Sequence, residues 1–282
     1  FTMYGSFIVG YSLAGPVISL MGDRAPFYLT SAMFALAGLL CLLLPTLRVA
    51  QVQARRFGEI LRTAKAEIRT SWSTILENHN LYYPILQLTM TQTLVGIILT
   101  LAPALSLALL KLALPDASHV LIIPAGLGMV AGVLVVGQLI KRWDKISLIA
   151  LGTTLAALAL MSLGLSGQLY RNLGDSQIAS IRTVTIIVAV LVFVLGLMNA
   201  WISVTSQTLL QEHSSEELRG RVFGALNMLI NVAATLPIFL AGILADLFSV
   251  TKVIFALGVA VLLYGLWQAA RLRQIHAAVE SE

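Results

Sequence analysis

The stretch TVTIIVAVLVFVLGLMNAWISVTSQTLL, residues 183–210, decides the fold, because it includes no Asp, Glu, Lys or Arg. A helix needs roughly 20 mainly apolar residues to cross the roughly 30 Å hydrocarbon core of a bilayer. Further stretches of this kind occur at about 2–20, 26–45, 82–110, 118–140, 146–166, 222–246 and 252–270. The sequence therefore predicts a polytopic membrane protein with about eight spans.

The composition excludes an ordinary soluble domain. Hydrophobic residues make up 58% of the chain and charged residues 11%, with a mean hydropathy of +0.90, whereas about one-quarter of a typical soluble domain is charged. Lipid offers the backbone no hydrogen-bond partner, so the spans should be helices, and they are too continuously apolar for barrel strands. The expected fold class is an all-α polytopic helical bundle.

The basic residues lie mostly on one side of the predicted membrane. If successive loops alternate between the two sides, thirteen Lys and Arg residues fall on one side and five on the other. Cytoplasmic loops carry the excess of Lys and Arg. We therefore expect a multi-pass protein of the plasma (inner) membrane, with both ends of this chain in the cytoplasm. The net charge of +5 follows from this topology and does not indicate nucleic-acid binding.

One long polar connection divides the chain into three parts. Residues 1–45 hold two predicted helices, residues 46–80 form a linker, and residues 81–282 hold six helices and a short tail. Within the linker, apolar residues from Phe57 to Ile75 recur at three- and four-residue steps, which predicts an amphipathic helix. Two placements remain open for this helix, on the cytoplasmic membrane surface or packed against the ends of the bundle.

A repeat relates the first two predicted helices to the last two. Pro16 and Pro237 are each followed, eighteen residues later, by Phe-Ala-Leu, so residues 16–36 and 237–257 align without a gap. Both pairs of helices also have the same predicted orientation. The first two helices are then expected to end one six-helix half, the last six to form a second half, and four more helices to precede Phe1. Such repeats are common in transporters.

Three segments resemble motifs of the major facilitator superfamily. Gly15 and Pro16 look like the Gly-Pro motif on the fifth helix of that family's antiporters, although a simple packing kink would use the same pair. Residues 137–145 resemble the second-half copy of the family's loop motif. Gly137 and Arg142 stand in matching places, and Asp144 replaces a Gly. Positive-inside anchoring alone is the alternative for this loop.

The third segment, residues 211–224, is the most specific. Its Arg-Gly-Arg sequence at Arg219, Gly220 and Arg221 is similar to the cytoplasmic entry to the eleventh helix in the branch that includes siderophore and macrolide exporters. The resemblance implies that the two arginines make gate contacts, with topology anchoring as the alternative. Ser214 and Glu217 have the spacing of a capping box, which predicts a helix start here.

Together these segments identify the chain with the last eight of twelve helices of a major facilitator superfamily transporter. The resemblance implies secondary active efflux of a small amphipathic molecule, such as a drug or a siderophore, by alternating access. The resemblance also suggests a proton as the coupling ion, and it implies that the coupling carboxylate lies in the helices expected before Phe1. The alternatives are a lysophospholipid transporter of the same fold and a non-transporting subunit or assembly factor in a larger membrane complex.

Nothing in the sequence indicates an enzyme, a metal or another cofactor. It has no phosphate-binding glycine loop, no His or Cys pair at metal-ligand spacing, and no nucleophile with a recognisable base. The expected partners are a small-molecule substrate and the lipid bilayer.

The candidates for a substrate cavity are neutral polar residues on three predicted spans. They recur at four-residue steps, so each set forms a stripe along one helix face. The stripes could line a shared cavity, or they could make hydrogen bonds between helices, worth about 0.6 to 2 kcal/mol each in a membrane. The candidates are Gln87, Thr91, Asn199, Ser203, Gln207, Asn227 and Asn231.

Overall fold

A computed structural model describes residues 17, 20–22, 24–42, 79–107, 118–172, 177–214 and 216–279. Within these ranges the chain is helical and contains no strand. A short π-helix, Ser118–Ile122, leads into the third α-helix. The α-helices are α1 (Ala25–Leu42), α2 (His79–Leu105), α3 (Ile123–Leu139), α4 (Lys145–Asn172), α5 (Gln177–Glu212), α6 (Glu216–Phe248) and α7 (Val250–Val279).

Seven segments, one for each of these α-helices, are long and apolar enough to cross a membrane, and the one at α3 begins within the π-helix. The limits of the seven segments agree with those predicted from the sequence to within five residues. The prediction of an all-α polytopic fold is therefore confirmed. The predicted first span, at about 2–20, and the predicted linker helix lie almost wholly outside the described residues.

Short connections between α3 and α4, between α5 and α6, and between α6 and α7 give these helices alternating directions. The Nζ atom of Lys145, at the start of α4, lies 2.6 Å and 2.5 Å from the two carboxylate oxygens of Glu212, at the end of α5. The turns at 140–144 and 213–214 therefore lie at the same end of the bundle, which we name the basic end. At the opposite end Ser249, with a φ of 131°, reverses the chain between α6 and α7.

Glycines allow α3 and α5 to approach closely. A Cβ atom added at Gly128 would lie 2.0 Å from the carbonyl oxygen of Phe193, and one at Gly196 would lie 2.1 Å from that of Ala125. Neither position has room for a side chain. Small residues at such crossings are typical of membrane helices, because lipid supplies little hydrophobic drive and close packing must hold the helices together.

The main core lies between α2, α4, α5, α6 and α7 and is almost entirely aliphatic. Leu160 of α4, Val188 of α5 and Ile254 of α7 are each about 1% exposed or less. A second cluster, around Leu88 and Leu226, joins α2 to α6 near the basic end. The six helices α2 to α7 therefore pack as one bundle, within which the polar residues described below are held.

None of the residues of α1 is buried. Its Cys41 is exposed and forms no disulfide. The division of the chain into residues 1–45, 46–80 and 81–282 remains a prediction, because almost all of the linker lies outside the described residues.

Candidate functional site

A stripe of polar side chains on α2 faces the interior of the bundle. Tyr83, Gln87 and Thr91 are four residues apart and therefore lie on one helix face. Gln87 is only 1% exposed and Thr91 only 6%. Because α2 begins at the basic end, the stripe runs from that end toward the middle of the membrane.

Both polar atoms of the Gln87 side-chain amide form hydrogen bonds. Its Nε2 donates to Thr153 Oγ1 of α4 at 2.9 Å, and its Oε1 accepts from the hydroxyl of Tyr264 of α7 at 3.2 Å. Thr153 in turn donates to the Ile149 carbonyl at 2.8 Å. Buried polar groups in a membrane need such partners, because an unsatisfied amide in hydrocarbon costs several kcal/mol. These bonds tie three helices together and fix which way the amide points.

One turn nearer the basic end, α2 and α7 are joined again. Gln268 Nε2 donates to the hydroxyl of Tyr83. Gln268 is 4% exposed, and its Oε1 has no hydrogen-bond partner among the described residues. Since Tyr264 and Gln268 are also four residues apart, a polar stripe on α7 lies against the polar stripe on α2.

A pocket of about 50 Å³ adjoins this network, and we name it the inner pocket. Its polar wall combines Gln87 and Thr91 of α2, Thr153 of α4 and Asn199 of α5. The Nδ2 of Asn199 is buried and has no hydrogen-bond partner within the described part of the chain. No charged residue is among the described residues that line it. The apolar wall consists of Met90, Leu94, Val95, Ile98, Ala156, Leu160, Leu195, Ile202 and Val261.

The inner pocket gathers three of the seven candidates, Gln87, Thr91 and Asn199. The other two candidates on α5 lie apart from it. Ser203 is buried, at 1% exposure, without lining the pocket, and Gln207 is exposed. Like Asn199, Ser203 has a buried polar atom that makes no hydrogen bond to the described residues. The stripe predicted on α5 is therefore continuous in sequence but lies in three different environments.

The two asparagines on α6 do not reach the inner pocket. Both are exposed, and each donates to its own helix: Asn227 Nδ2 to the Phe223 carbonyl at 3.0 Å, and Asn231 Nδ2 to the Asn227 carbonyl at 2.7 Å. The reason lies in the other face of α6, where Val222 and Leu226 pack against α2. Burying that apolar face leaves the amides on the outside.

The loop motif at 137–145 forms the turn between α3 and α4. Gly137 and Arg142 are exposed. Asp144 caps α4, since its Oδ2 accepts from the backbone N–H of Ser147 at 3.0 Å and from the Ser147 hydroxyl at 3.2 Å. An aspartate at this position satisfies N–H groups that have no partner within the helix.

Of the other two motifs, Gly15 and Pro16 lie outside the described residues. The Arg-Gly-Arg sequence lies in the first turns of α6; Gly220 is exposed, and the side chains of Arg219 and Arg221 are outside the described part.

The predicted helix start near 214 is confirmed to within two residues, because α6 begins at Glu216. The Ser214 hydroxyl donates to the Leu210 carbonyl of α5 at 2.6 Å. The capping box of Ser214 with Glu217 stays a prediction, because the side chain of Glu217 lies outside the described part.

Four residues of the polar network were not among the candidates: Tyr83, Thr153, Tyr264 and Gln268. The four-residue spacing of Tyr83 with Gln87, and of Tyr264 with Gln268, was an available signal. Thr153 offered none, because a single Thr in an apolar helix commonly donates to its own backbone, as Thr153 also does.

No curated protein sequence and no solved structure matches the chain. A family model does match it, the Major Facilitator Superfamily, over residues 1–236. The match covers most of the 282 residues and runs from before α1 into α6. Members of this family are membrane transporters rather than enzymes. The seven membrane-length helices agree with that assignment, and the chain therefore belongs to the Major Facilitator Superfamily.

Proposed function

We propose that this transporter exports a small amphipathic molecule, of the kind represented by drugs and siderophores, across the plasma membrane by alternating access. The observation that carries the proposal is the inner pocket, in which neutral hydrogen-bonding groups from α2, α4 and α5 are surrounded by aliphatic side chains. Sites for small molecules are mostly apolar, with a few placed polar groups that orient the ligand.

The polar wall of the inner pocket favours a particular chemistry in the substrate. Both polar atoms of Gln87 are already engaged by Thr153 and Tyr264. Asn199 Nδ2 is a buried donor without a partner in the described part of the chain. A carbonyl or ether oxygen would accept from this donor, whereas a charged group would be buried among neutral residues at high cost. The substrate is therefore uncharged at the part that enters the pocket.

The size of the inner pocket suits one group of the substrate rather than all of it. Its volume of about 50 Å³ is well below the roughly 300–1,000 Å³ of typical ligand sites. In the proposal, the remainder of the molecule lies in a wider cavity, which alternating access opens and closes. Ser203, Gln207, Asn227 and Asn231 remain candidates for the wall of that cavity.

The proposal places the basic end in the cytoplasm, because thirteen of the eighteen Lys and Arg residues are predicted on that side. The chain ends are then cytoplasmic, and Gly137, Arg142 and the Arg-Gly-Arg sequence lie where gate contacts are expected. A proton is the proposed coupling ion. The described spans carry no Asp, Glu, Lys or Arg in their middle parts, so a coupling carboxylate is expected elsewhere in the protein.

The test is transport by the purified full-length protein in liposomes with an imposed pH gradient. A radiolabelled macrolide represents acceptor-rich amphipathic molecules, and a fluorescent lysophospholipid represents the alternative substrate. We expect macrolide uptake that Asn199→Leu reduces at least tenfold. Thr100→Val is the control, because Thr100 is exposed and bonds only its own helix.

Each outcome bears on the proposal. Movement of the lysophospholipid alone would support the lipid-transporting alternative and overturn the substrate class. Absence of transport of both probes by folded protein would contradict export of amphipathic molecules altogether. Equal rates for Asn199→Leu and the wild type would remove the inner pocket from the substrate site.

A further inference from the structure

A second cavity lies at the end of the bundle opposite the basic end, and we name it the outer cleft. It has a volume of about 550 Å³ and lies between α2, α6 and α7. The described residues that line it are aliphatic or aromatic apart from Lys252, which lies near the start of α7. An exposed apolar surface is expected on any membrane helix, but a concavity of this volume is in the range of ligand sites.

The depth of the outer cleft matches one leaflet of a bilayer. On α6 the lining residues run from Pro237 to Phe248, which is about 16 Å at 1.5 Å per residue. Half of the hydrocarbon core is about 15 Å. The cleft therefore extends from the membrane surface to about the midplane, which is the distance that one acyl chain spans. Beside the lining residues Ile97 and Pro237, Gly96 of α2 packs closely against Ile238 of α6.

Among the described residues that line the cleft, one is charged, and it lies at the mouth. Lys252 is exposed, and it forms no ion pair with any described residue. The nearest acidic residue in sequence, Asp246, lies two positions from both Leu244 and Phe248, which line the cleft. At 100° per residue this places Asp246 on the opposite face of α6. Within the described part of the chain, the mouth is thus positive and the walls are apolar.

We propose that the outer cleft binds one membrane phospholipid, with an acyl chain along α6 and α7 and the phosphate group against Lys252. The three observations that support this occupant are the apolar walls, the depth of one leaflet and the cation at the surface. A lysine near the headgroups attracts anionic lipid, and an acidic phospholipid such as phosphatidylglycerol is therefore preferred over a zwitterionic one. This site is separate from the inner pocket and does not depend on the proposed substrate.

The test is native mass spectrometry of the purified full-length protein with added phosphatidylglycerol or phosphatidylcholine. The wild type is expected to retain one phosphatidylglycerol per protein. Lys252→Gln should weaken its retention about fivefold, and Lys252→Arg should restore it. Ala256→Trp, which places an indole in the cleft from an exposed position, should abolish retention of both lipids.

Two matched variants act as controls, Lys141→Gln at the basic end and Ala35→Trp on α1, since both residues are exposed and distant in sequence from the cleft. The thermal midpoint of each variant, measured in parallel, separates loss of binding from loss of folding. Equal retention by wild type, Lys252→Gln and Ala256→Trp would overturn the proposal. A second protein copy released by Ala256→Trp, without bound lipid, would also overturn it and would assign the cleft to self-association.

Discussion

The substitution Gly128→Ala is expected to separate α3 from α5. A Cβ atom at this position would lie 2.0 Å from the carbonyl oxygen of Phe193, well short of the 3.4 Å at which ordinary contacts begin. The obstacle is backbone, not the end of a flexible side chain, so a rotamer change cannot relieve it. The two helices must move apart along their whole crossing.

The loss in the free energy of unfolding depends on the other close contacts at the crossing of α3 and α5. Gly132 and Gly196 make approaches of the same kind, with Cβ-to-oxygen distances of 2.5 Å and 2.1 Å. A gap of about 0.5–1 Å forfeits about a quarter to a half of the dispersion energy of each contact. Overpacking of this kind costs about 1–3 kcal/mol, while replacing Gly by Ala within a helix returns about 1 kcal/mol. We therefore expect a net loss of up to about 2 kcal/mol.

The matched control is Gly137→Ala on the same helix. A Cβ atom at Gly137 meets nothing within 4 Å, so only the gain in helix propensity remains. At about 2–4 °C per kcal/mol for a chain of this size, Gly128→Ala should lower the thermal midpoint of the purified protein by up to about 8 °C. Gly137→Ala should leave the midpoint unchanged or raise it. Equal midpoints for the two variants would refute the close-packing argument.

Three further predictions concern hydrogen bonds and charges. Tyr264→Phe removes the donor to Gln87 and should cost about 0.6–1.7 kcal/mol, with a few-fold rise in the KM of transport because the amide is no longer held. Asp144→Ala removes the cap of α4 and should cost about 0.5–2 kcal/mol in a thermal melt. Lys145→Met should change stability by less than about 1 kcal/mol, since its ion pair with Glu212 is partly exposed.

Each of these predictions has its own check. Tyr28→Phe, at an exposed tyrosine on α1, is the control for Tyr264→Phe, and an unchanged KM in both would show that the network does not position Gln87. Asp144→Asn should retain most of the capping that Asp144→Ala loses, and equal melts would argue against the cap. If Lys145→Met destabilised the protein as much as Gly128→Ala does, the ion pair would be a major support of the basic end, contrary to expectation.

The membrane topology could be predicted from the sequence because it depends on local properties. Whether residues 183–210 cross a bilayer is set by their own length and polarity, and the same holds for each of the other described spans. The family motifs were also readable as short segments. The polar candidates, by contrast, could be assigned to a helix face, but the sequence did not show which other helix that face packs against.

Tertiary structure alone decided which of those faces meet. The stripe on α2 lies against α4 and α7, where Thr153 and Tyr264 hold Gln87. The asparagines of α6 lie outside, although their spacing is as regular. The periodicity of a helix states which residues share a side, but it does not state which side is buried. In a membrane that choice depends on how closely two helices can approach, and here glycines and aliphatic packing between distant parts of the chain determined it.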